Sequence, residues 1–86
     1  MTAATQERIG KLTFQVAVGA LIRSQFRFQV ETYAKQADLR LEVLENKGWF
    51  ETDYYIELHG VESRLRQAQS DITSYIKQLG ARDRTG

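Results

Sequence analysis

His59 is the one imidazole in the chain and the first residue to examine for chemistry. Glu57 lies two residues before it and Glu62 three after. A histidine among carboxylates can hold a cation or pass a proton. Zinc sites, however, draw mainly on Cys and His, and this chain has no cysteine and no second histidine. As a general base His59 would need a nucleophile or an acid within reach. No such constellation accompanies it. Gly10, Gly19, Gly48, Gly60 and Gly80 are spaced as turns and caps, and none builds a phosphate loop. His59 therefore reads as a solvated or locally hydrogen-bonded residue at a strand-to-helix turn. The chain is expected to hold no catalytic residue, no cofactor and no metal, and not to be an enzyme.

Binding chemistry has two candidate sets. Trp49 and Phe50 sit side by side, flanked by Glu45, Glu51 and Asp53. The two rings either anchor the core or form an apolar knob on an acidic tip, the kind of aromatic anchor that dominates protein interfaces. The second set is Arg27, Tyr33, Arg40 and Tyr55. If all four share an outer sheet face, their rings could stack on bases and their cations could meet phosphates. Glu31, Glu42 and Glu57 would share that face, and a net charge of +1 lacks the footprint of a nucleic-acid binder.

Charge is unevenly spread. Up to Lys35, five cations (Arg8, Lys11, Arg23, Arg27, Lys35) face two anions (Glu7, Glu31). Over 36–63, two cations (Arg40, Lys47) face seven anions (Asp38, Glu42, Glu45, Glu51, Asp53, Glu57, Glu62). From Arg64 on, five cations (Arg64, Arg66, Lys77, Arg82, Arg84) face two anions (Asp71, Asp83). An acidic hairpin thus lies between two basic segments. Either the charges neutralise one another within the fold, or the acidic tip of one copy meets a basic face of another.

The elements that must position these residues are read from periodicity. Val61, Leu65, Ala68, Ile72, Tyr75, Ile76 and Leu79 recur in steps of three and four, which predicts an amphipathic helix over about 61–79. Gly80 suits a left-handed stop after it. Leu39, Leu41 and Val43 alternate with polar residues, as do Tyr54, Ile56 and Leu58, and both runs read as half-buried strands. Phe26, Phe28 and Val30 alternate in the same way and suggest a third strand. Residues 12–18 fit a strand by alternation and a helix by a Phe14, Ala17, Val18, Leu21, Ile22 stripe. Gly10 and Gly19 favour the strand.

Register can be argued from facing. A tight turn at Asn46-Lys47-Gly48, with Glu45 opposite Trp49, would put Val43 against Glu51 and Leu41 against Asp53. A half-buried sheet resists that mixture. Pairing Leu41 with Tyr54 matches the core but sets Glu42 against Asp53. Pairing Leu39 with Leu58, Leu41 with Ile56 and Val43 with Tyr54 matches the core and places Arg40 opposite Glu57. That register is preferred, or a bulge at Gly48 absorbs the difference. The preferred register leaves 46–51 as a loop with Trp49 and Phe50 at its tip.

The totals frame these readings. At 86 residues the chain is expected to form one domain, 1–86, with frayed ends at 1–6 and 81–86. Its stability should be on the order of 4–13 kcal/mol. With no cysteine, no disulfide framework exists and a reducing cytoplasm is the expected location. The apolar run at 12–22 is too short for a membrane span, and Gln15 and Arg23 break a signal-peptide reading. The fold class is α+β: an antiparallel sheet of three or four strands with the C-terminal helix packed on one face. The alternative is α-β-β-β-α with an N-terminal helix. The expected function is a small non-catalytic protein-interaction module, including self-association through the hairpin tip. The alternative is RNA or single-stranded DNA binding on the outer sheet face. The partner is a protein or a second copy, not a membrane.

Overall fold

The computed structural model describes residues 8–83, with side chains through Ala81. The expected fraying of 1–6 and the basic residue Arg84 lie outside the described residues. The chain is α+β, with three long antiparallel strands and two helices. The first strand, β1, spans Ile9–Gly19, so the stretch that fitted both periods is a strand and the alternative with an N-terminal helix is overturned. A 3-10 turn, Ala20–Ile22, leads into helix α1, Arg23–Gln36. Strands β2, Arg40–Lys47, and β3, Glu51–Val61, form a hairpin. Helix α2, Glu62–Leu79, follows, and the two-residue strand β4, Arg82–Asp83, bridges to β1. The sheet order is β2-β3-β1-β4. This is the split-βαβ arrangement of elements.

The third predicted strand is the main correction. Phe26, Phe28 and Val30 lie in α1, where Phe26, Val30 and Ala34 are buried at i, i+4 and i+8 and Phe28 is exposed. The alternation at 26–30 is a coincidence of one outward phenylalanine. Residues 23–36 contain no glycine or proline, and Gln, Arg, Glu, Lys and Ala outweigh the strand formers. The helix ends in a Schellman arrangement. Leu39 N–H donates to the Ala34 carbonyl at 2.9 Å and Asp38 N–H to that of Lys35 at 3.1 Å. Asp38 takes the left-handed conformation at φ 55°. Gly80 does the same for α2 at φ 69°, with Ala81 N–H donating to the Ile76 carbonyl.

Both helices pack on one sheet face. The core joins Phe14, Val16 and Val18 of β1 to Tyr54, Ile56 and Leu58 of β3. Phe26, Val30 and Ala34 of α1 and Leu65, Ala68, Ile72 and Ile76 of α2 cover them. Aromatic rings knit the layers. Phe26 meets Tyr54 at 5.1 Å between centroids and stacks on Tyr75 at 6.1 Å, and Tyr33 approaches Tyr75 edge-on. Among the described residues, no helix is long and apolar enough to cross a membrane.

The hairpin register is shifted by two residues from the one argued from facing. Leu41 pairs with Leu58, Val43 with Ile56 and Glu45 with Tyr54. The faces are as expected, because a two-residue shift preserves parity. Leu39 does not reach the strand. It is spent closing α1, and its Cδ2 sits where a Cβ on Gly60 would clash, at 2.5 Å. The same parity puts Glu45, with Leu41 and Val43, on the helix-facing side. Arg27 of α1 donates to it at 2.7 Å and to Glu31 at 3.3 Å, which compensates the charge. The bond to Glu45 is the chief reason the Arg27 pKa is held above its ordinary value.

Candidate functional site

The ladder between β2 and β3 continues through Asn46–Asp53 and Lys47–Thr52. Asn46 and Lys47 are therefore strand residues, and the wide loop expected at 46–51 is overturned. Gly48 N–H donates to the Glu51 carbonyl at 2.8 Å, which leaves Trp49 and Phe50 alone at the turn. A Cβ at Gly48 would meet that same carbonyl oxygen at 2.8 Å, so the close approach requires glycine.

Both rings point into solvent. Trp49 is 95% exposed and Phe50 87%. Ala20 N–H donates to the Phe50 carbonyl at 3.1 Å and ties the 3-10 turn to the hairpin tip. Leu21 in that turn is fully exposed as well. Three large apolar side chains are thus bare on two segments that this backbone bond joins. Leaving each outside a core forgoes about 1.5–3 kcal/mol of burial.

The acidic collar is divided. Glu45 belongs to the helix side with Arg27, and Lys47 Nζ lies 3.9 Å from its other oxygen. Glu51 and Asp53 lie on the open face, opposite Gly19 and Ala17 of β1.

The open face is the sheet surface without helices. Across it, Lys11, His59 and Arg40 align, then Thr13, Glu57 and Glu42, then Gln15, Tyr55 and Leu44. The four residues proposed for a nucleic-acid face are not brought together. Arg27 and Tyr33 are on α1, on the far side of the sheet, with Arg27 ion-paired and Tyr33 packed on Tyr75. Only Arg40 and Tyr55 are on the open face, and Arg40 is held by Glu42 at 3.1 Å.

The open face brings together a set that the sequence did not suggest. Glu42 and Glu57 are direct cross-strand partners. His59 Nε2 lies 3.1 Å from Glu57 Oε1 and 3.6 Å from Glu42 Oε2. Glu62, the carboxylate first considered for His59, instead lies on α2, 3.8 Å from Arg66. The missed partner, Glu42, is far from His59 in sequence, and only the observed register places it there. A signal was available in the period-2 alternation, which put Glu42 and His59 on the same face.

Two tyrosine hydroxyls are buried on the helix side. Tyr54 donates to the Arg23 carbonyl at 3.2 Å. Burial first, and the Glu45 charge second, raise its pKa above the usual 10.0. Burial likewise raises that of Tyr75, whose hydroxyl has no hydrogen-bond partner among the described residues. The hydroxyl of Thr52, fully buried on the helix side, has none among them either.

No family model and no curated protein matches the chain. Solved structures do resemble it. The de novo designed protein Foldit4 is 12% identical over 92% of this chain and 99% of its own, with a TM-score of 0.74. The de novo designed protein Ferredog-Diesel is 12% identical, covering 98% and 91%, with a TM-score of 0.57. ArgZ, a cyanobacterial arginine dihydrolase in its apo form, is 16% identical over 91% of this chain but only 12% of its own, with a TM-score of 0.62. At such identities the likeness is one of fold alone.

Proposed function

We propose that this protein is a small non-catalytic interaction module that docks through its hairpin tip, and that a second copy is its first partner. One observation carries the reading: Trp49 and Phe50 are both almost wholly in solvent, and Leu21 is exposed on the 3-10 turn that Ala20 ties to the tip. A small domain gains stability from every aromatic it buries, and here a tight turn holds two of them outside. Such rings, rigid and apolar, are the residues that anchor interfaces. Glu51 and Asp53 border the tip on the open face, while α2 carries Arg64, Arg66 and Lys77 on its surface. The acidic residues at the tip and the cations flanking the buried stripe of α2 can attract across two copies, in a salt-dependent way.

Sedimentation velocity over a concentration series in low salt tests this. The parent chain should associate. The double variant Trp49→Ser, Phe50→Ser should weaken association by about 2 kcal/mol or more, roughly thirtyfold in Kd. A parent that stays monomeric at millimolar concentration, or a double variant that associates equally well, would overturn the proposal.

A further inference from the structure

The cross-strand pair Glu42–Glu57 is an unfavourable choice for a sheet. Like charges directly opposite one another destabilise an antiparallel ladder. Yet the chain has settled in the register that makes this pair, with His59 Nε2 turned toward both carboxylates. Arg40 reaches only the Glu42 side, at 3.1 Å. One oxygen from each glutamate and one ring nitrogen of His59 all lie within 4.8 Å of one another.

Those distances suit a cation. A metal bound at about 2.0–2.2 Å by oxygen and nitrogen in tetrahedral geometry holds its ligand atoms about 3.3 Å apart. His59 to Glu57 at 3.1 Å and His59 to Glu42 at 3.6 Å bracket that spacing. Two carboxylates and one imidazole suit a first-row divalent ion more than calcium or magnesium, which prefer oxygen alone. Glu57 and His59 are each about three-quarters covered at the side chain, and Glu42 is more exposed. The open sheet face leaves the remaining coordination positions to water or to a ligand.

We infer that Glu42, Glu57 and His59 form a three-ligand zinc site on the open face of the sheet. The metal takes the Nε2 lone pair, so the ring proton resides on Nδ1. Two carboxylates neutralise the ion, and whatever repulsion Arg40 and His59 leave between them becomes binding energy. The site is separate from the aromatic tip. Glu57 lies six residues along β3 from Glu51, about 20 Å of strand.

The test uses the untagged chain and zinc chloride. Because His59 is the sole histidine, its ring nitrogen resonances report on this site alone. Titration should give saturable one-to-one binding with a Kd in the micromolar range and a shift of the Nε2 resonance. Calorimetry should show His59→Ala and Glu57→Gln each weakening binding at least about tenfold. Glu62→Gln should bind as the parent does. Absence of saturable binding, an unchanged Nε2 resonance, or equal affinity in His59→Ala and Glu57→Gln overturns the assignment. The two variants guard against misfolding, since Glu57→Gln keeps the side chain's shape.

Discussion

The two faces of β3 are built on opposite terms. On the helix side, Thr52, Tyr54, Ile56 and Leu58 are all buried, and both helices close over them. On the open side, Glu51, Asp53, Tyr55, Glu57 and His59 face outward, and the strand runs into a tip whose rings are bare. One strand thus carries the core on one face and, in the proposed reading, the functional surface on the other. Stability should reside on the first face and function on the second, so substitutions that differ only in parity should have separable effects.

The largest effect is expected from the buried side. Leu58→Ala removes a side chain with no exposed surface and should cost about 2–5 kcal/mol, much of the whole stability of so small a domain. Urea denaturation would show it as a large drop in midpoint. A cost under about 1 kcal/mol would mean that this face is not the core.

Alkaline pH probes the same side. Tyr54 and Tyr75 hold their protons more tightly when folded than when unfolded. Their contribution is intact below pH 10 and is lost as pH rises through the raised folded values, because the unfolded chain ionises first. Denaturant midpoints should fall above pH 10. The fall should be smaller in Tyr75→Phe, which loses one such group and a hydroxyl with no partner among the described residues.

A smaller change of opposite sign is expected at Thr52. Its buried hydroxyl has no partner among the described residues, and valine has the same shape. Thr52→Val should stabilise by about 1 kcal/mol. A destabilised variant would show that the hydroxyl has a partner the geometry does not reveal.

Much of this division was legible in the sequence. Period-2 alternation identified β2, β3 and which of their residues face inward, and the three-and-four spacing with Gly80 identified α2. Two things were not legible. Helix α1 hid behind Phe26, Phe28 and Val30, because a single outward phenylalanine imitates a strand. Its real stripe, Phe26, Val30 and Ala34, was present but weakly apolar. The hairpin register slipped because Leu39 looked like the first strand residue. Its role as the closing residue of α1 depends on Asp38 taking a left-handed turn, which an aspartate does not announce as a glycine would. The same slip concealed the Glu42, Glu57 and His59 cluster. Avoiding like charges was a sound rule for choosing a register, but His59 and Arg40 sit beside the pair and relieve it.

The smallest stability effect, and the most direct test, lies at the tip. Trp49→Ser and Phe50→Ser should each leave folding stability within about 0.5 kcal/mol of the parent, since neither ring touches the core. Trp49 is the sole tryptophan, so its emission reports on the tip alone. Measured across a concentration series in low salt, it should begin as the red-shifted, fully quenchable emission of a ring in water. It should shift to the blue and resist quenching as copies associate. Emission that is already blue-shifted in the dilute protein, or that stays unchanged at every concentration, would contradict an exposed tip that docks onto a second copy.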